Sequence, residues 1–150
     1  MTGGSFSAQV DQFVRVSKQR MEDMFAYALS DMINDMQTPT AKGGRMRVDT
    51  GFLRASGRGA LDGWPSGNGE KPADAPVGQY TGIYDDYDGR ALDAILFNME
   101  LGDTFFWGWV ANYGAIREIY DGFMEAPLQN WQTYVNTAVA KVKKDIADAK

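Results

Sequence analysis

Apolar residues recur at helical spacing from about Ser5 to Met36: Phe6, Val10, Phe13, Met21, Met24, Phe25, Ala28, Leu29, Met32, Ile33 and Met36. Steps of three and four place them along one side of a helix. Ser5 or Ser7 is positioned to cap its start. Thr38-Pro39 ends it, because proline restricts the residue before it and has no N–H to donate. About thirty residues at ~1.5 Å rise make a helix of about 45 Å, long for so small a domain. The spacing therefore predicts a helix that overhangs its own core, which suggests a partner. Its methionines read as core filling in preference to an adaptable binding face.

Beyond it, a glycine-containing basic turn (41–47) leads to Val48-Asp49-Thr50-Gly51, where Asp49 or Thr50 is expected to cap a short helix carrying Phe52, Leu53 and Ala55. Residues 57–64 suit a strand, and 65–79, rich in Pro, Gly and polar residues, form a loop long enough to be functional or mobile. Over 80–101 the pattern predicts a hairpin or meander. Tyr80, Ile83 and Tyr84 precede a turn at 85–89, after which Ile95, Phe97, Met99 and Leu101 alternate with Ala94, Leu96, Asn98 and Glu100. Gly102-Asp103 turns the chain into an aromatic run, Phe105-Phe106-Trp107-Gly108-Trp109, and an extended stretch is expected from Asn112-Tyr113-Gly114 to Gly122. The last element is a helix over 124–147 striped by Leu128, Trp131, Val135, Ala138, Val139, Val142 and Ile146, with Pro127 in its first turn. Residues 1–4 read as a frayed end. The expected fold is one α+β domain: a long N-terminal helix, a small antiparallel sheet and a C-terminal helix.

Composition narrows the function. The 150 residues are 44% apolar and 23% charged, as in an ordinary folded domain. Cysteine and histidine are both absent, which removes disulfides, thiolate chemistry, the commonest metal ligand and the usual acid–base group near neutral pH. No apolar run reaches the ~18 residues of a membrane span, and no basic region followed by an apolar stretch opens the chain. Residence in the cytosol is expected, unless the protein leaves inside a larger particle. The net charge of −5 argues against a protein whose main task is gripping nucleic acid. That charge is unevenly spread. Lys42, Arg45, Arg47, Arg54 and Arg58 face one acid, Asp49, over 42–58. Asp85, Asp86, Asp88, Asp93, Glu100 and Asp103 face one base, Arg90, over 85–103.

The candidate chemistry is sparse. Asp86-x-Asp88-Gly89 matches part of a calcium loop, but Ile95 stands where the bidentate carboxylate belongs, so an acidic turn is the better reading. Gly57-x-Gly59 and Gly67-x-Gly69 lack the rest of any phosphate-binding pattern. No catalytic residue, metal site or cofactor is therefore expected. The two charge clusters suggest instead that the basic segment of one copy faces the acidic segment of the next, a heterologous contact that can close into a ring. Arg45, Arg47, Arg54, Arg58, Asp85, Asp86 and Asp88 are the candidate interface residues, with Trp107 and Trp109 as aromatic anchors. The alternative is a DNA-binding accessory protein that uses residues 42–58 on phosphates.

The segment Val48-Asp49-Thr50-Gly51-Phe52-Leu53-Arg54-Ala55-Ser56 resembles the V-D-T-G-x-L-R-x-S motif of the neck and tail-completion proteins of long-tailed bacteriophages. Trp109-Val110-Ala111-Asn112-Tyr113-Gly114 looks like a variant of that family's second motif, with tryptophan where tyrosine is usual. The order of helix, motif, strands and C-terminal helix is similar from Ser5 to about Lys144. The resemblance implies a structural, non-enzymatic virion protein in the tail or neck, assembled in the host cytoplasm as a ring, most often a hexamer. Its implied partners are further copies of itself, the adjacent stopper or connector, and the tail tube or terminator protein. Genome DNA would pass through the lumen without sequence-specific binding, and no membrane is involved. Asp49, Thr50, Gly51, Leu53, Arg54, Tyr113 and Gly114 carry the motifs.

Overall fold

The computed structural model describes residues 5–74 and 80–149. The frayed end expected at 1–4, and the last five residues of the loop 65–79, lie outside the described residues. The element order is α1 (Phe6–Met36), a 3-10 turn (Thr40–Lys42), α2 (Phe52–Ala55), β1 (Gly57–Ala60), α3 (Arg90–Phe97), β2 (Phe106–Trp109), α4 (Gly114–Asp121), α5 (Glu125–Gln129) and α6 (Trp131–Asp148). This is a helix-rich α+β fold with a long N-terminal helix, a two-stranded antiparallel sheet and a C-terminal helix. No helix among the described residues is long and apolar enough to cross a membrane.

Helix α1 starts where Ser5 Oγ accepts from the Ala8 N–H, and it stops at Gln37, before Thr38-Pro39. Only its C-terminal part is buried, through Ala28, Met32, Ile33 and Met36. Met32, Ile33 and Met36 each contribute roughly 1.5–3 kcal/mol on leaving water, and the Ala28 methyl less. Helix α6 runs antiparallel along this part: Tyr134 donates to Asp35, and Lys141 Nζ lies 3.6 Å from the Tyr27 ring centroid. At equal rise per residue, α6 ends near the level of Arg20. On another side the turn after α3 reaches up to Lys18 and Glu22 through Glu100 and the Leu101 N–H. Residues 5–16 are exposed throughout. The overhang expected from helix length is therefore present.

The hairpin expected over 80–101 is replaced by an irregular segment and α3. Leu92, Ile95, Leu96 and Met99 form a helical stripe at i, i+3, i+4 and i+7 that outweighs the alternation of 94–101; Leu92 and Leu96 are buried, while Phe97 points to solvent. The stretch 114–121, expected to be extended, is helix α4. The single C-terminal helix is divided at Asn130 into α5 and α6, which leaves Leu128 exposed and outside the stripe.

The two strands pair antiparallel with Gly57 opposite Trp109 and Gly59 opposite Trp107. Glycine is needed there for space: a Cβ on Gly57 would lie 2.4 Å from Gln37 Nε2 and 2.9 Å from Trp107. One core joins Met32, Ile33 and Met36 to Leu92 and Leu96; a second joins Met46, Leu53, Ala111 and Phe123. Trp109 packs against both, with its ring edge-on to Phe123 at 4.8 Å.

Candidate functional site

The segment Val48–Ser56 is the joint of the molecule. Its cap is not the one expected: Gly51 occupies the N-cap position of α2 with φ +85°, and no side chain caps the helix there. Thr50 Oγ1 accepts from the Phe52 N–H at 3.4 Å, whereas Asp49 Oδ1 accepts from the Tyr80 N–H across the chain. The main chain of 49–50 also binds the segment that follows the loop. Asp49 O accepts from Gly82 N–H at 2.8 Å, and Thr50 O from Tyr84 N–H at 2.7 Å.

Arg54 is held on three sides. Its Nε donates to the Gln37 carbonyl at 2.6 Å, closing the end of α1. Its Nη1 donates to Asp85 Oδ1 at 2.7 Å and to the Tyr87 carbonyl at 3.5 Å, and its guanidinium stacks 5.0 Å from the Tyr87 ring centroid. Gln37 continues the network: Nε2 donates to the Arg54 carbonyl, and Oε1 accepts from Trp109 Nε1 at 2.9 Å. Burial pushes the Tyr87 phenol up to about 12, against a smaller opposing pull from Arg54. Burial likewise raises Tyr113. Both phenols therefore stay protonated near neutral pH.

The second sequence motif packs directly on the first. Ser56 O accepts from the Val110 N–H and Ser56 Oγ from the Ala111 N–H. The Phe52 and Tyr113 rings lie 6.4 Å apart, and Leu53 faces Gly114. Beside this contact a cleft of about 270 Å³ opens, with Asp49–Gly51 along one side and Arg47, Lys71, Tyr113 and Arg117 around it. Arg117 is already committed to Asp121 by a pair of hydrogen bonds.

These positions change the expected interface. Arg54 and Asp85 bind each other within one chain and are largely shielded, so they are not two halves of a contact between copies while that bond stands. Trp107 and Trp109 line the core side of the sheet and are half-buried, with Trp107 edge-on to Tyr87 and Trp109, so they are not free anchors. Arg45, Arg47, Arg58 and Asp86 are exposed. Asp88 is exposed and bonds Arg90, whose N–H and guanidinium hold its carboxyl below the usual carboxylate range. Among the described residues no three acidic side chains come together in a way that could hold a metal ion.

Two features of the structure differ from what the sequence leads one to expect. Gln37 was invisible because nothing in a helix-ending glutamine marks it as buried. The apolar face of α4, Ile116, Ile119 and Tyr120, has i, i+3, i+4 spacing that signals a helix, and all three side chains are exposed. Comparison of the chain with protein-family models, with curated proteins and with solved structures finds no match.

Proposed function

We propose that this protein is a structural assembly subunit of a tailed-phage neck, forming a ring between head connector and tail tube. The observation that carries the reading is the uncovered stripe on the overhanging part of α1. Phe6, Val10, Phe13 and Val14 follow one another at steps of four, three and one, all exposed, and Met21 and Phe25 continue them toward the core. A contiguous apolar stripe of this kind costs free energy in water and is the usual mark of a protein contact. The resemblance of Val48–Ser56 and Trp109–Gly114 supplies the neck assignment. The packing of those two segments on each other supports treating them as one structural unit, with Arg54 as its tie and no catalytic duty.

In this reading the acidic net charge suits a lumen through which DNA slides without sticking. Electron microscopy of the purified protein tests the proposal: discrete rings, with a matching mass by native mass spectrometry, are the expected result. A strict monomer at high concentration, alone and with a candidate neck partner, overturns it. DNA binding that weakens steeply with salt, with no ring, would favour the accessory DNA-binding reading through residues 42–58.

A further inference from the structure

Asn68 and Gly69 lie in the loop that follows β1, at the point where that loop is pinned to the second sequence motif. Of the six asparagines in the chain, only Asn68 precedes a glycine. Its side chain is exposed, and its Oδ1 accepts from the Glu70 N–H at 3.0 Å. This is the turn in which an asparagine bonds its own main chain two residues on, and it folds the amide carbon Cγ back toward the Gly69 nitrogen. The Gly69 N–H has no acceptor among the described residues, and no Cβ shields it. The Gly69 carbonyl, by contrast, is held: it accepts from the Asn112 N–H at 2.8 Å. Packing there is tight, since a Cβ on Gly69 would lie 2.2 Å from the Val110 carbonyl oxygen.

We propose that Asn68 is a site of spontaneous deamidation, at which the Gly69 nitrogen attacks the Asn68 side chain and the resulting isoaspartate releases the loop from the second motif. The bond from Gly69 N to Cγ forms as the Gly69 proton passes to solvent base. Oδ1 becomes an oxyanion, and the Glu70 N–H already donates to it, the placement that stabilises such charge. The Cγ–Nδ2 bond then breaks and ammonia leaves, giving a five-membered imide. Water opens the imide in either of two ways. Attack at Cγ gives aspartate with the main chain unchanged. Attack at the Asn68 main-chain carbonyl gives isoaspartate, with the main chain rerouted through the side chain and one methylene longer. One water is consumed, one ammonia is released, and nothing is oxidised or reduced. Both products add a negative charge, but only isoaspartate lengthens the chain beside Gly69. The close packing on Val110 leaves no slack there, so the Gly69–Asn112 bond gives way.

The test is incubation of the full-length protein in mildly alkaline, ammonia-free buffer, read by peptide mapping with mass spectrometry and by an isoaspartyl methyltransferase assay. Asn68 is expected to convert at least about tenfold faster than any other asparagine, because each of those is followed by a residue whose Cβ hinders the attacking nitrogen. Its rate should be at least as high in the folded protein as in the chain unfolded by guanidinium at matched pH, since the fold holds the donor on Oδ1 and leaves the nitrogen free. An Asn68 that stays intact in the folded protein, or reacts more slowly there than in the unfolded chain, overturns the proposal. Release of the loop is read by amide exchange at Asn112. The isoaspartate fraction, separated chromatographically, should lose protection at that amide by at least about tenfold. Asn68→Asp, which carries the same charge on an unaltered main chain, should keep it. Equal protection in the isoaspartate fraction and in the untreated protein overturns the proposal as well.

Discussion

Arg54 and Asp85 meet 31 residues apart in the chain, as an ion pair of 2.7 Å in which both side chains are less than one-fifth exposed. The same guanidinium also closes the C-terminal end of α1 through the Gln37 carbonyl, so one side chain ties α1, α2 and the segment leading to α3. Removing it leaves a shielded carboxylate and an orphaned carbonyl. Arg54→Ala is therefore expected to cost about 2–4 kcal/mol in denaturant unfolding. Charge reversal at exposed Arg58 should shift stability by no more than about 0.5 kcal/mol. Equal effects at the two positions would contradict this assignment. Loss of assembly in an Arg54 variant would then report on folding, whereas loss in an Arg58 variant would report on contact.

Much of the architecture was legible because the signals were local. Ser5 and Thr38-Pro39 bounded α1, and the length of its stripe announced the overhang. The strand expected over 57–64 is present over 57–60, whereas the aromatic run gave no strand signal and pairs with it as β2. Over 90–99 two periods coexist, so the expected strand gives way to a helix. Ile95, Phe97, Met99 and Leu101 alternate, while Leu92, Ile95, Leu96 and Met99 follow a helix, and only the facing groups on α1 decide between them. Gly89, expected in a hairpin turn, instead starts α3 in a left-handed conformation, with φ +79°. The charge clusters were seen, but their meeting inside one chain was not. Sequence separation says nothing about which arginine reaches which carboxylate, and Gln37, which organises the joint, carries no pattern at all.

Gly51 tests the tightness of that joint. Its φ of +85° belongs to the left-handed region, and a Cβ there would lie 2.3 Å from the Asp85 Cβ. Gly51→Ala must therefore bear backbone strain of about 1–2 kcal/mol and also push Asp85 away from Arg54. Gly43 has the same φ but open space around it. Thermal unfolding of the two alanine variants should show the Gly51 change to be clearly the more damaging; comparable losses would mean that the contact with Asp85 is slack.

Gln37 should behave as a buried polar bridge. It is 1% exposed, and replacement by leucine of similar volume leaves Trp109 Nε1 and the Arg54 carbonyl without their partner. Two stranded groups cost about 2–4 kcal/mol together. Gln37→Leu is expected to lower the denaturation midpoint by that amount and to alter the near-ultraviolet signal of Trp109. A neutral result would show that water or a shifted side chain satisfies both groups.

Alkaline unfolding reports on Tyr87. Burial raises its phenol to about 12, against an ordinary value of 10.0. The unfolded chain therefore releases this proton first as pH rises. The associated stability is fully present below pH 10 and is lost between pH 10 and 12. The ring is only half-buried, so solvent screening reduces the size of the effect. Tyr87→Phe should make the decline of stability over that window shallower. An unchanged slope would assign the alkaline sensitivity to other phenols, such as Tyr113 and Tyr134, which burial also raises.

Amide exchange connects the overhang to assembly. A helical segment of about twelve residues is marginal in water without tertiary cover, because few backbone bonds repay the ordering of the first turn. Residues 5–16 have no buried member, whereas Ala28, Met32, Ile33 and Met36 anchor the other end of the same helix. Protection in a dilute, monomeric sample should therefore fall steeply from the Met32 end toward Phe6, as the tip frays independently of global unfolding. On assembly, a docked stripe must hold its helix to stay complementary, so the amides of about 8–17 should gain protection while those near Met32 change little. If the overhang is already strongly protected in the monomer, the stripe must have another cover. If it stays unprotected in a fully formed oligomer, assembly proceeds through a different surface, and the uncovered apolar stripe would no longer support the assembly reading.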